Sequence, residues 1–444
     1  MVVITNQYSK SMSVNYIKIS SGAQYFFMFM MFMWVAGVSN FTSFNFSKNP
    51  VLMPVYLAIL AFYFFRYCKF SIKPLLTFVS IFIIWSIASI IKYGSNLGIH
   101  YPPFYSIIIA HIAFNIYNKS EFLKIFEKLL VFFCSLSLVV WLLANVIGDP
   151  FVNFMTSISV LPKPQPPTET YSFIVGLGSS FELGLRRNIG FTWEPGVFSC
   201  WVLLGIYVNL IRHKFSLFNI RKNKNLYILL VTLLTTLSTT GYSALAIIIL
   251  FILLNKRSVS SKLIVVALLI AVVPTILGFS FMSEKIIGLM DMDQGIMATN
   301  YEGTELGMDV VTPQRFTGLY FSWLSFIHDP LLGFNQYANS YVTKVLFGNT
   351  VVVAPSEGLL YNLATYGVFM GLFLYYWLIK SSIYLSKAYH YKGAMMFLAF
   401  FLTISFSYSF WENCIFMYFY LCTFYKKFDK RYFDGLIPMP AIKN

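Results

Sequence analysis

Residues 226–254 read LYILLVTLLTTLSTTGYSALAIIILFILL, 29 consecutive residues without a charge. A single membrane crossing takes about 20 apolar residues, so the block is too long for one comfortable span. Lys222 and Lys224 precede it and Lys256 and Arg257 follow it, which places both of its ends on the same side of a bilayer. Two helices of ~12 to 14 residues reach only ~20 Å each. The stretch therefore predicts a hairpin that turns within the membrane at Ser238, Thr239, Thr240 and Gly241, where broken backbone must be buried in protein or line a wet cavity. Residues 393–425, with Ser405, Ser407, Ser409, Glu412 and Asn413 in their middle, predict a second hairpin of the same kind.

The rest of the chain agrees with a membrane setting. Of 444 residues, 58% are hydrophobic and only 11% charged, and the mean hydropathy is +0.69; soluble chains carry roughly 25% charged residues. The apolar residues gather in blocks near 24–44, 51–69, 74–91, 102–118, 123–147, 195–211, 263–281 and 358–379. Blocks of this length are helices, whereas barrel strands would alternate over ~10 residues. The expectation is an all-α, polytopic membrane helix bundle of roughly 12 helices, some short and paired as hairpins, forming one domain over residues 1–444. A soluble enzyme, a disulfide scaffold and an outer-membrane barrel are excluded. The five cysteines, Cys68, Cys134, Cys200, Cys414 and Cys422, lie in or beside spans and offer neither a disulfide framework nor zinc spacing. The first apolar block lacks a small-residue cleavage pattern and reads as a retained span.

The net charge of +15 could point to nucleic acid, but its distribution points elsewhere. With the N-terminus cytoplasmic, 24 of the 32 Lys and Arg residues fall inside, and the remaining eight (Lys48, Lys92, Lys163, Arg186, Arg187, Lys285, Arg315 and Lys344) fall outside. Orientation accounts for the basic excess, and no nucleic-acid partner is expected.

Two outside connections are long, residues 148–194 and 282–357. Loops beyond ~15 residues are functional or disordered, and the apolar and aromatic residues throughout these two argue that they fold back onto the bundle. The first contains the polyproline strut LPKPQPPTE (161–169). It ends in Arg186-Arg187-Asn188-Ile189-Gly190-Phe191-Thr192-Trp193-Glu194-Pro195-Gly196, which runs directly into a span. One reading is a helix start, with Pro195 in the first turn, Glu194 beside the N-terminus and Trp193 as interfacial anchor. The other starts from two adjacent arginines on the translocated side, where the charge bias disfavours them. A guanidinium matches phosphate oxygens with a planar fork of donors, so the pair suits a lipid-linked phosphate. In the second loop, Arg315 shares a helical face with Leu319, Trp323 and Phe326, which predicts a helix along the membrane interface. Its arginine either snorkels to headgroups or stands opposite Arg186 and Arg187 across one anion.

Weaker signals accompany these. Asp291, Asp293 and Glu302 fit a calcium loop by count, but Gly295 and Ile296 occupy the wrong positions. His111 within a span is either a proton relay or a hydrogen-bonded bundle histidine. His328 next to Asp329 is a turn cap or a general base. Glu412 is a candidate as an intramembrane carboxylate, and Glu357 either caps the following span or binds substrate.

Four features in this order resemble the O-antigen polymerase and ligase superfamily: Arg187-x-x-Gly190-x-x-x-Glu194-Pro195 at the head of a span, the LSTTGYSAL hairpin, the run from Arg315 through Trp323 to DPLLGF, and PSEGLLYNLATYGVFMGLFL. The likeness covers roughly residues 180–425. Ligases of that family tend to carry a His-Asn-like pair where this chain has Pro355-Ser356-Glu357, and many relatives have an arginine near the hairpin position held here by Tyr242. The resemblance implies an O-antigen polymerase of the bacterial inner membrane, a GT-C-like glycosyltransferase without metal or cofactor, whose long loops are periplasmic. Its partners would be an undecaprenyl-diphosphate-linked oligosaccharide, membrane lipid and a chain-length regulator protein. Arg187, Arg315 and Glu194 would be catalytic, with Arg186, Glu357, His328, Tyr242 and Glu412 contacting substrate. A ligase acting on the lipid A core, or a flippase for the same lipid-linked sugar, are the alternatives.

Overall fold

The computed structural model describes residues 19–33, 52–68, 72–94, 102–158, 168–171, 175–180, 184–213, 223–255, 296–298, 309–313, 315–335, 339–348, 351–354, 358–388, 394–407, 409–411 and 413–428. The expected span at 263–281, the calcium-count residues Asp291, Asp293 and Glu302, residues 161–167 of the strut, and both Glu357 and Glu412 lie outside them.

The architecture is mostly helical. Helices α1 (Ser21–Met33), α2 (Leu52–Tyr67), α3 (Lys73–Tyr93), α4 (Pro102–Ile116) and α5 (Lys119–Ile147) lead to a short α6 (Asp149–Ser157). Helices α7 (Pro195–Arg212), α8 (Lys224–Thr235) and α9 (Thr239–Asn255) form the middle of the chain. Beyond them come α10 (Arg315–His328), α11 (Tyr361–Ala388), α12 (Ala394–Ser405) and α13 (Cys414–Phe428). Four of these, α3, α5, α7 and α11, are long and apolar enough to cross a membrane. Of these, α3, α5 and α11 expose large apolar side chains such as Ile91, Phe132, Val146 and Phe369. Helix α5 begins earlier than the hydropathy suggests, because Asn118 and Glu121 form a capping box that starts the helix at Lys119.

Helix α7 is buried along nearly its whole length and occupies the centre. Gly205 makes this possible, since a Cβ there would meet Leu130 of α5 at 2.4 Å. Both expected hairpins are present as pairs of short helices. The chain turns at Thr236–Ser238 between α8 and α9, where Leu237 adopts a left-handed φ of 49°. A second turn separates α12 from α13. The two tips meet where the Thr240 and Ser407 hydroxyls lie 2.5 Å apart. Each tip is tied in further: Ser199 of α7 donates to Ser238 at 3.1 Å, and Ser409 donates to Asn362 of α11 at 2.7 Å. Buried polar groups require partners of this kind.

The all-α expectation needs one correction. Each long loop carries a small three-stranded sheet. In the first loop β1 (Thr168–Tyr171), β2 (Gly176–Ser180) and β3 (Arg186–Gly190) pair antiparallel in chain order. In the second, β4 (Ile296–Ala298) pairs antiparallel with β5 (Asp309–Pro313), which runs parallel to β6 (Val351–Val353). Loop backbone resting on the bundle has to satisfy its own N–H and C=O groups, and strand pairing does so.

Helix α11 is broken at Gly367, whose φ of 69° no helix allows. The Asp329–Asn335 turn fills the break. Phe334 and Asn335 donate their N–H groups to the Ala364 and Thr365 carbonyls at 2.9 and 3.1 Å, and Val368 donates back to Pro330 at 2.7 Å. Glycine is required on both sides: a Cβ on Gly333 would meet the Thr365 carbonyl at 2.3 Å, and one on Gly367 the Leu331 carbonyl at 2.2 Å. The same turn is fastened to the end of α3 by Trp85 donating to Leu332, Tyr93 donating to Gly333, and the Lys92–Asp329 ion pair.

Candidate active site

Strand β3 leads into α7 through Gly190, which has a φ of 53° and lies so close to Phe198 that a Cβ would meet its ring at 2.3 Å. Asn188 holds the strand in register. Its amide donates to Ser137 of α5 at 3.2 Å and to Thr235 of α8 at 3.0 Å, and its carbonyl oxygen accepts from Gly190 N–H at 3.0 Å. The Thr192 hydroxyl lies 2.8 Å from the Ile189 carbonyl and 2.9 Å from that of Glu194, closing the turn.

Successive side chains on a strand point to opposite faces, and this separates the two arginines. Arg186 turns toward α5 and α6. Its guanidinium pairs with Asp149 at 2.6 Å, its N–H donates to Asn145, and its carbonyl accepts from Trp141. Arg187 turns toward the α8–α9 hairpin, donating from Nε to the Thr236 carbonyl at 3.2 Å and from Nη2 to that of Leu237 at 3.0 Å. Burial lowers its pKa to about 10, while Glu194 and Tyr242 push the other way, so it is cationic at neutral pH.

Glu194 directly precedes α7 in an extended conformation but does not cap the helix with its side chain. Its carboxylate instead receives Arg315, whose Nη2 lies 3.2 and 3.3 Å from the two oxygens. Arg315 is the first residue of α10. A cation at a helix N-terminus is electrostatically disfavoured, and Glu194 offsets that cost. One carboxylate thus stands beside the N-terminal end of α7, paired to the Arg315 guanidinium and within the electrostatic reach of that of Arg187, and these groups favour negative charge. The Glu194 side chain is 31% exposed and that of Arg315 19%, so the cluster is reachable by a ligand.

Tyr242 adjoins this cluster; its hydroxyl donates to the Leu234 carbonyl across the hairpin at 2.8 Å. His328 does not join it. It stands 13 residues along α10 from Arg315, about 20 Å at the helical rise, and stacks on Tyr341 with centroids 3.5 Å apart. His111 is a hydrogen-bonded bundle residue, its Nδ1 lying 3.0 Å from the Tyr425 hydroxyl.

The residues read from the sequence thus divide. Arg187, Arg315, Glu194 and Tyr242 come together, Arg186 and His328 face elsewhere, and Glu357 and Glu412 are outside the described residues. Asn188 and the Thr236 and Leu237 carbonyls were missed. A backbone carbonyl leaves no mark in a sequence, and Asn188 could have been noticed only as an amide in a run leading into a span. Among the described residues no three His, Cys, Asp or Glu side chains gather as metal ligands. No protein-family model, curated protein or solved structure matches this chain.

Proposed function

We propose that the chain is a bacterial inner-membrane glycosyltransferase of the O-antigen polymerase type, moving a growing glycan from undecaprenyl diphosphate onto the terminal sugar hydroxyl of a new lipid-linked repeat unit at the periplasmic face. The observation that carries the reading is the Arg315–Glu194 ion pair, with the Arg187 guanidinium near enough to feel the charge of the same carboxylate. Helices long and apolar enough to cross a membrane, and the order of the four motifs, support the setting.

The transfer breaks the bond between the anomeric carbon and the diphosphate oxygen, and the electron pair leaves with the diphosphate. The acceptor hydroxyl forms the new bond and gives up its proton. Arg187 and Arg315 take the departing diphosphate, supplying charge where it develops in the transition state. As Arg315 turns to the diphosphate it releases Glu194, which is then free to accept the proton from the attacking hydroxyl. Arg187 stays fixed by its two carbonyl partners and needs no reorganisation, which is the condition under which such donors are most effective.

A gel of surface glycan from cells lacking the gene tests the reading. A polymerase leaves lipid capped with a single repeat unit, a ligase or flippase leaves no capping, and an intact ladder rejects all three. Restoring the gene with Arg187→Ala or Arg315→Ala tests the two guanidiniums directly: unchanged polymer length and amount in both variants removes the arginines from the mechanism.

A further inference from the structure

Helix α10 is built inside out for a helix in water. The side turned to the protein carries small and polar residues, with Thr317, Gly318, Ser322 and Ser325 all buried. The side turned away carries Tyr320, Trp323 and Ile327, each close to half exposed. These lie at spacings of three and four residues and so form one stripe. The stripe continues past the helix end to Leu331, which is 73% exposed. A second element adds to it: the π-helical turn Val342–Leu346 exposes Val345 and Leu346. It is held against α10 by the His328–Tyr341 stack and by Phe321 against Phe347 at 6.1 Å.

The surroundings say what covers this patch. The Asp329–Asn335 turn is fastened to the end of α3 through Trp85, Tyr93 and the Lys92–Asp329 pair. Helix α3 exposes Ile83, Ile84, Ile87 and Ile91 along its length, so the patch prolongs the apolar surface of a helix suited to crossing a bilayer. Lys92 and Lys344 both lie over the Tyr93 ring, at 4.9 and 5.6 Å, beside the patch. An apolar pad collared by lysine and tyrosine is the pattern of a segment seated at headgroup depth.

We infer that the outward stripe of α10, Leu331 and the Val342–Leu346 turn together form a lipid-docking pad, inserted into the bilayer leaflet on the side of the Arg187–Glu194–Arg315 cluster. The inference stands apart from the glycosyltransferase reading, because it requires only a bilayer around the bundle. Its consequence is positional: Arg315 opens the helix whose apolar side rests in lipid, so the cationic cluster sits beside the headgroups.

The test uses the full chain in phosphatidylcholine–phosphatidylglycerol vesicles, with Cys68→Ser removing the partly exposed cysteine. An environment-sensitive fluorophore is attached to Ile327→Cys, Leu331→Cys or Leu346→Cys, with Asp149→Cys as the aqueous control. All three pad positions should emit to the blue of the control, be quenched by doxyl-labelled lipid and resist iodide. Any pad position that emits like the control and is quenched by iodide overturns the inference. So does shielding from both quenchers, which would mean that a protein partner covers the pad. Trp323→Phe provides a second readout without labelling: it should remove a share of the lipid-quenched tryptophan emission, and no change in that share overturns the inference equally.

Discussion

Two carboxylates paired to arginine stand at opposite ends of the bundle, and they are built differently. At one end Glu127 of α5 is fully buried. It pairs with Arg212 of α7 and accepts from the Asn209 and Asn225 amides at 2.8 Å each. Asn209 and Asn223 also exchange amide hydrogen bonds at 2.8 and 2.7 Å. At the other end Glu194 is partly exposed, and Arg315 reaches it through Nη2 at 3.2 and 3.3 Å, long for charge-assisted bonds. A carboxylate saturated with partners and sealed from water has no capacity left for a ligand, so the Glu127 cluster locks α5, α7 and the start of α8 together. A carboxylate loosely held among cations can be exchanged for another anion. The contrast lies in saturation and exposure, since the residue types are the same.

The largest expected effect falls on the lock. Removing one member of a buried pair leaves the other charge uncompensated and costs about 3–5 kcal/mol. Glu127→Ala should therefore sharply lower the thermal unfolding midpoint of the purified protein in detergent, whereas Glu194→Ala should barely move it. Equal melting of the two variants would dissolve the distinction between lock and site. Next in size is Arg315→Ala. A charge-assisted hydrogen bond contributes about 1.5–3 kcal/mol, so polymer formation should fall about 10- to 100-fold while the melting midpoint stays near that of the parent. Arg315→Lys should restore only part of the rate, because an ammonium is a point charge without the planar fork. Full rescue by lysine would mean that charge alone suffices there.

Much of this arrangement was legible in the sequence, and the reasons for the gaps are specific. The first hairpin could be read because an uncharged block of 29 residues has no other comfortable way to sit in a bilayer, and the second from the polar residues in the middle of 393–425. The head of α7 could be read from Glu194-Pro195. The break in α11 could not: Gly367 in an apolar helical run is an ordinary residue until the Asp329–Asn335 turn, from elsewhere in the chain, inserts beside it. The sequence sets Arg315 opposite Arg186 and Arg187 across an anion, whereas its guanidinium meets Glu194 directly, over a separation of 121 residues that no local pattern encodes. The stripe on α10 was visible at Trp323, but the expected facial partners Leu319 and Phe326 are less exposed than Tyr320 and Ile327. Strand β3 was missed because RRNIG has no alternation of apolar and polar residues, and that omission hid the division between its two arginines.

That division supplies the smallest effect and the sharpest test of the comparison. Arg186 and Arg187 are adjacent, equally charged and on the same strand, so a sequence-based argument treats them as one anion-binding pair. On a strand they face apart, and Arg186 is paired with Asp149, whose side chain is 83% exposed. Ion pairs with such an exposed partner contribute about 0–1 kcal/mol and weaken with added salt. Arg186→Ala should therefore change polymer output by less than about fivefold, and raising the ionic strength should shrink the difference from the parent further. Arg187→Ala, by contrast, removes a buried cation that also holds the Thr236 and Leu237 carbonyls of the hairpin turn, and should lose activity and stability together. If Arg186→Ala is as damaging to polymer formation as Arg187→Ala, alternation along β3 does not decide which guanidinium serves the site, and the saturated-versus-open contrast between the two ends loses its geometric basis.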